Sequence, residues 1–209
     1  MIKMLIENPL KFNSTKVGNV KVFEAHIKSE KSVSPYIIQM YEYIKEHYDF
    51  FVLGKPFGIG KLLKHLNYDP EIVENGFLLP HQNKGHFTHI EKTLGNSLGV
   101  AEGISISNPH KKVFCFISDS QIFMGPTLEA ILSIGSKNLK NLTLAIDYNK
   151  LGSKGPLPEI NFNGLFWNWH IENLYGKPFP DSICSHRPSL WIYHSWQNLL
   201  KGQINTNQN

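Results

Sequence analysis

Cysteine is scarce. The 209 residues include only Cys115 and Cys184, too few for a disulfide-stapled scaffold or a four-cysteine zinc site. Charge is sparse too: charged residues make up 18% of the chain, where about a quarter is usual. Asparagine fills part of that gap, most visibly in the Gln203–Asn209 stretch. The net charge of +4 comes with no run of one sign, so no stripe is available for nucleic acid. No segment approaches about eighteen uninterrupted apolar residues, so no membrane span is expected. The start, Met1–Lys11, is too polar for a secretory leader. What remains is a cytoplasmic globular domain whose 41% hydrophobic content is enough for one sizeable core. Cys115 lies within an apolar run and reads as a buried, reduced thiol.

Three regions are expected: an N-terminal arm over 1–34, an α/β domain over 35–200, and a flexible polar tail over 201–209. The arm alternates weakly through Val17, Val20, Val22, Phe23 and Ile27, as a strand pair or a loose segment. After Pro35, apolar residues at Ile37, Met40, Tyr41, Ile44 and Tyr48 recur at helical spacing. A short run, Phe50–Leu53, follows and is broken by Gly54, Pro56, Gly58 and Gly60. Leu62–Leu66 reads as one or two helical turns and Asn67–Pro70 as a turn.

Thr93–Ile106 keeps helical spacing despite Gly95, Gly99 and Gly103, each costing roughly 1 kcal/mol against Ala. Something is therefore expected to approach its backbone closely. Val113–Ile117 is a continuous apolar run, as in a parallel strand covered on both faces, and Leu142–Ile146 reads as a second buried strand. Thr127–Ile134, with Leu128, Ile131 and Leu132 inward, supplies the helix between them and completes a βαβ unit. Phe166–Ile171 and Leu190–Tyr193 are further strand or edge candidates. The four tryptophans, Trp167, Trp169, Trp191 and Trp196, read as core and interface anchors.

In a parallel sheet, ligands bind beyond the carboxyl ends of the strands. The first buried run ends in Ser118-Asp119-Ser120 and the second in Asp147-Tyr148-Asn149, with Lys150-Leu151-Gly152 following. The βαβ unit brings Asp119 and Asn149 to one rim. A carboxylate, an amide carbonyl and the main-chain oxygen of Leu151 are hard ligands suited to Mg2+ or Ca2+, the remaining positions going to diphosphate and water. Each residue also has an ordinary alternative: Asp119 as a helix cap, Asn149 as an Asx-turn.

Ser118-Asp119-Ser120, Gly125, Glu129-Ala130, Asn141-Leu142 and Asp147-Tyr148-Asn149-Lys150 together resemble the thiamine-diphosphate motif of transketolases, with Asp-Tyr-Asn-Lys similar to separately encoded N-terminal subunits. Leu94–Gly103 resembles the small-residue helix of that family and Asp49–Leu53 its early strand. Trp167–Gly176 and Arg187–Leu190 are similar to later segments, so the resemblance covers about residues 45–200. It implies a parallel sheet flanked by helices, the diphosphate-binding fold of transketolases. It implies Asp119, Asn149 and the Leu151 main chain as ligands of Mg2+ (or Ca2+ or Mn2+). Gly95, Ser97, Ser118, Ser120 and Asn149 would lie against thiamine diphosphate, and Glu129 at a subunit interface.

The chain departs from the family pattern where substrate is handled. Gly54-Lys55-Pro56-Phe57 stands for Ser-Lys-Gly-His, which puts a phenylalanine in place of a proton-transferring histidine. No Gly-His pair precedes Pro35; His26 follows an alanine. His81, in Leu79-Pro80-His81-Gln82, is the surviving candidate for catalysis, with His86 and His89 on the same loop as substitutes or as solvated loop residues. Ser120 replaces a glycine, Gln121 a common acidic residue and Met124 a glutamate.

Activating the cofactor needs a glutamate that the family keeps in a second, pyrimidine-binding domain. The expectation is therefore an N-terminal subunit, paired with a C-terminal transketolase-like chain in a homo- or hetero-oligomer, transferring two-carbon ketol units between sugar phosphates. A degenerate partner or regulatory subunit without turnover is the alternative, and a plain α/β binding module the third reading.

Overall fold

The computed structural model describes residues 37–54, 59–75, 78–152, 155–175, 177–182 and 184–194. The expected arm and tail, His26, Phe57 and Trp196 lie outside the described residues. The elements in order are α1 (Ile37–His47), β1 (Phe50–Leu53), α2 (Gly60–His65), α3 (Pro70–Asn75), a 3-10 turn (Pro80–Gln82) and β2 (His89–Ile90). Next come α4 (Ser97–Ser107), β3 (Val113–Ser118), a second 3-10 turn (Asp119–Phe123), α5 (Gly125–Lys137) and β4 (Leu142–Asp147). The hairpin β5 (Leu151–Gly152) and β6 (Gly155–Pro156) follows, then α6 (Phe162–Leu165), β7 (His170–Leu174) and β8 (Ser189–Tyr193).

Six strands form one sheet in the order β2-β1-β3-β4-β8-β7, every pair parallel. Because side chains alternate across a strand, each central strand feeds two cores. Phe114, Phe116, Trp191 and Tyr193 pack with α1 and α2 on one face. Cys115, Ile117, Leu144, Ile146 and Ile192 pack with α4 and α5 on the other. Burial on both faces is why these strands are mostly apolar with little alternation, and β3, β4 and β8 are buried along their whole length. Cys115 is a free, buried thiol as expected. Among the described residues no helix is long and apolar enough to cross a membrane.

The expected βαβ unit is present as β3–α5–β4, but several details differ. The small-residue helix begins at Ser97 rather than Thr93, because residues 93–96 form the turn that enters it. Its helical glycines Gly99 and Gly103 face open space, so the close backbone approach falls at Gly95, where an added Cβ would lie 2.8 Å from Met124 Cβ. Leu132 is 49% exposed, since the buried stripe of α5 runs through Thr127, Ala130, Ile131 and Ile134. Phe166 closes α6 instead of opening a strand, which starts at His170. Trp169 and Trp191 are core, whereas Trp167 is 61% exposed.

Strand order reverses between β1 and β3: β1 continues outward to β2, while β3 continues the other way to β4. That crevice, at the carboxyl ends, is where a doubly wound sheet offers room for a ligand.

Candidate functional site

The rim of the sheet is built from strand ends. Ser118 pairs in register with Asp147, so the segments leaving β3 and β4 emerge side by side. Asp119 is fully buried at the first step beyond β3. It does not cap α5, which follows Met124. Its Oδ2 instead accepts the main-chain N–H of Asn149 at 3.0 Å and of Lys150 at 2.7 Å. Lys150 adopts a left-handed backbone (φ 62), which turns successive N–H groups toward one point and makes a small anion nest. Asn149, 2% exposed, donates from Nδ2 to Asp147 Oδ2 at 3.4 Å, which identifies the sheet-facing end of its amide. Leu151 opens the β5–β6 hairpin, and β5 packs against the Asp119–Phe123 turn. Asp119, Asn149 and Leu151 are thus brought to one place.

Asp119 Oδ1 is buried and accepts no hydrogen bond among the described residues. Burial pushes its carboxyl up to about 7, against the lowering effect of the Lys150 and Asn149 N–H groups. A buried carboxylate with one oxygen saturated and the other bare lacks a donor or a cation. The donor set here, one carboxylate, one amide and a main-chain carbonyl, is hard oxygen chemistry and fits a Mg2+-like ion. Among the described residues no group of three or more His, Cys, Asp or Glu offers an alternative metal centre.

The second side of the rim is the loop entering α4. Gly95 has φ +98, and its carbonyl accepts the Thr127 hydroxyl at 3.0 Å. Ser97 is 1% exposed, its side chain hydrogen-bonded to the Cys115 thiol, whose ionisation burial pushes far up. Between the buried Gly95 and Ser97, Asn96 is exposed and donates from Nδ2 to the Thr93 hydroxyl at 2.7 Å. Ser118 and Ser120 hydroxyls lie 2.8 Å apart and bond to each other. His81 is exposed on the Pro80–Gln82 turn and is not a partner of Asp119. His86 packs among Tyr41, Tyr68 and Phe87, its Nδ1 3.2 Å from the Tyr41 hydroxyl. Glu129 is exposed on α5.

Two features of the rim have no counterpart in the motifs. The first is a buried polar chain. Glu91, just past β2 and 1% exposed, accepts the Asn96 main-chain N–H on Oε1 and the Gln121 side-chain amide on Oε2 at 2.5 Å. Gln121 in turn accepts the Ser118 N–H at 3.1 Å. The second is His194, one residue past β8. It stacks on Tyr175 at 4.2 Å and meets Tyr148 edge-on, with Nε2 donating to Asn173 Oδ1 at 2.8 Å and Nδ1 buried without a partner. Burial, and then the Lys150 charge, lowers its pKa to about 4. The rule that ligands gather beyond strand ends was the available signal for His194; an isolated Glu91 in sequence carries none.

No protein-family model matches the chain. Among curated proteins, it is similar to an uncharacterized transketolase family protein of Sinorhizobium fredii, 33% identical over 95 residues, which is 41% of this chain and 34% of that protein. It is also similar to a 1-deoxy-D-xylulose-5-phosphate synthase of Fusobacterium nucleatum, 37% identical over 76 residues, which is 36% of this chain and 12% of that one. A transketolase from Pichia stipitis superposes with a TM-score of 0.60 at 15% identity, over 84% of this chain and 35% of that one. A transketolase from Campylobacter jejuni gives a TM-score of 0.56 at 15% identity, over 83% and 37%. The chain spans about a third of the Sinorhizobium fredii protein and of these transketolases, and less of the synthase. In sequence likeness and in fold the chain is transketolase-like, as its motifs imply.

Proposed function

We propose that this chain is the diphosphate-binding half of a transketolase-like, thiamine-diphosphate-dependent enzyme. It would act as the N-terminal subunit of a two-chain assembly that transfers two-carbon ketol units between sugar phosphates. The observation that carries the reading is the bare, buried Asp119 Oδ1 beside Asn149 at the strand rim of a transketolase-like sheet. Asp119, Asn149 and the Leu151 carbonyl would hold the dication. The Gly95–Ser97 backbone and the Ser118–Ser120 turn would lie against the diphosphate, where helix N–H groups and nests favour negative charge. When bound, thiamine diphosphate supplies the nucleophilic carbon for the two-carbon transfer and the dication neutralises its diphosphate.

The residues of this chain bind and orient. The N–H groups of Asn149 and Lys150 hold Asp119 in one rotamer, so that Oδ1 faces a fixed point. Thr127 and Glu91 hold the opposing loop. The C-terminal transketolase-like subunit, carrying the pyrimidine-binding half, belongs to the same proposal, as do the sugar phosphates.

A second reading, a partner or regulatory subunit without turnover of its own, draws support from Met124. Its side chain fills the space against Gly95 at the position where the family carries a glutamate. Calorimetric titration of the chain with thiamine diphosphate and Mg2+, alone and with a companion subunit, tests both. Binding that disappears in Asp119→Ala, together with ketol transfer in the mixture, supports the enzyme. Binding without transfer supports the second reading, and absence of binding under both conditions overturns the cofactor assignment.

A further inference from the structure

The carboxylate of Glu91 and the amide of Gln121 meet in the crevice where strand order reverses. Glu91 follows β2 and Gln121 lies in the turn after β3, thirty positions apart in sequence. Gly54, at the end of β1, closes the space between: a Cβ there would lie 2.8 Å from Gln121 Oε1 and 2.9 Å from the Phe116 carbonyl. Both partners are buried, at 1% and 0% exposure, so the pairing is not a solvated surface contact.

Each atom in the chain has one satisfying polarity. The Asn96 N–H needs an acceptor and finds Glu91 Oε1. The Ser118 N–H needs an acceptor and finds Gln121 Oε1, which turns the Gln121 amide NH2 toward Glu91 Oε2. Glu91 therefore has to accept twice. The consequence is mechanical. Two side chains in series, Glu91 and Gln121, tie the backbone that enters α4 to the backbone that delivers Asp119, and these are the two walls of the proposed cofactor cradle.

We infer that Glu91, acting through Gln121, is a positioning residue that holds the Gly95–Ser97 loop and the Ser118–Ser120 turn at a fixed separation for a diphosphate ligand. The ligand's identity rests on the proposed function; the hydrogen-bonded lock does not. Replacing Glu91 by Gln leaves one donor facing another whichever way the two amides turn. Replacing Gln121 by Glu sets two carboxylates against each other. Exchanging both restores every bond. The amide then at position 91 accepts from Asn96 and donates to the carboxylate at position 121, which accepts from Ser118. A buried polar group left without its partner pays its full desolvation cost. Each single exchange is therefore expected to weaken binding about tenfold, equivalent to about 1.4 kcal/mol.

The test uses the whole chain in four forms: native, Glu91→Gln, Gln121→Glu, and both together. Amide hydrogen exchange at Asn96 and Ser118 is read without ligand, and affinity for Mg2+-thiamine diphosphate by calorimetry. Strong protection in the native chain is expected, with loss of protection and about tenfold weaker binding in each single variant. The double variant should recover to within about threefold of native. Fast exchange at Asn96 in the native chain overturns the lock by itself, and needs no variant to fold. So does a double variant no better than the worse single one. If the native chain binds no cofactor, the functional reading fails, while the exchange data still decide the lock.

Discussion

The Lys150 main-chain N–H donates to Asp119 Oδ2 at 2.7 Å, from a residue whose backbone is left-handed. This bond joins the turn leaving β4 to the carboxylate leaving β3, and it uses the backbone of Lys150 only. The Lys150 side chain goes elsewhere, to Glu159 Oε1 at 2.9 Å and over the Tyr148 ring. Lys150→Gly keeps the N–H and removes the cost of a left-handed non-glycine residue, roughly 1 kcal/mol. That gain offsets an ion pair whose acidic partner is 73% exposed. Lys150→Gly is therefore expected to keep native Mg2+-thiamine diphosphate affinity within about threefold. Lys150→Pro, which has no N–H and cannot take a positive φ, should lose binding and several degrees of thermal midpoint. Equal losses in both variants would show that the side chain carries the role.

Asp119 links the site to pH. Its folded pKa is raised to about 7 from 3.8 because burial disfavours the charge. A raised carboxyl stabilises the fold fully when protonated, below about 3.8, and that contribution is lost as pH rises through about 7. At ~1.4 kcal/mol per unit the span is on the order of 4 kcal/mol. Metal-free protein should accordingly lose thermal midpoint between about pH 4 and pH 7, and Asp119→Asn should flatten that dependence. The dication needs the ionised form, so its affinity should fall about tenfold per unit as pH drops below about 7. Calorimetry at about pH 6 in two buffers of different ionisation enthalpy should register release of up to one proton. Cation binding with no proton release would count against Asp119 as its ligand.

Much of the fold was legible because the central strands are buried on both faces. Val113–Ile117 and Leu142–Ile146 have no solvent side to interrupt them, and the helix between them carries its buried stripe at Ala130, Ile131 and Ile134. Strand order was not legible. β8 follows β7 in sequence yet sits inside it, next to β4, an arrangement that depends on which edge the last crossover reaches. The start of α4 falls later than its apolar spacing suggests, because the Glu91 carboxylate, five residues upstream, accepts the Asn96 N–H and holds the turn before the helix. The meeting of Asp119 and Asn149 at one rim was legible from the βαβ spacing. Glu91 and Gln121 were not, since only the folded crevice shows that they face each other. His194 stands one residue past a recognisable strand, yet nothing in the sequence ranks it above the histidines of the Pro80–Ile90 loop.

His194 should remain neutral throughout the physiological range. With Nε2 donating to Asn173, Nδ1 carries the lone pair, and among the described residues no acceptor stands ready for a second proton. Its pKa is lowered to about 4 from 6.5, first by burial and then by Lys150. A depressed histidine contributes stability that is present above 6.5 and lost as pH falls through about 4. Ring-proton chemical shifts should show His194 unmoved from neutral pH down to about pH 5. Removing the Lys150 charge, as in Lys150→Gly, should raise the His194 midpoint without restoring it to the ordinary value, because burial is the larger cause. A His194 midpoint near 6.5 in the native chain would place its ring in open solvent.

Gly54 makes the tightest demand at the crevice. Its N–H donates to the Phe116 carbonyl at 2.7 Å, and an added Cβ would stand 2.9 Å from that same oxygen and 3.1 Å from Ile117 Cγ2. The oxygen belongs to β3, paired on both edges, and has nowhere to move. The third neighbour, Gln121 Oε1 at 2.8 Å, is a side-chain end, but moving it breaks the bond to the Ser118 N–H. Gly54→Ala is thus expected to cost about 1–3 kcal/mol by overpacking. The disturbance should appear locally first, as faster amide exchange at Ser118 and Asn96. Gly99→Ala is the matched control. It lies in α4 with nothing within 4 Å of the new Cβ, and alanine favours the helix by roughly 1 kcal/mol. Chemical denaturation of the two variants should give shifts of opposite sign. A Gly54→Ala midpoint at or above native would mean that the β1 end and the Gln121 turn do not pack as described.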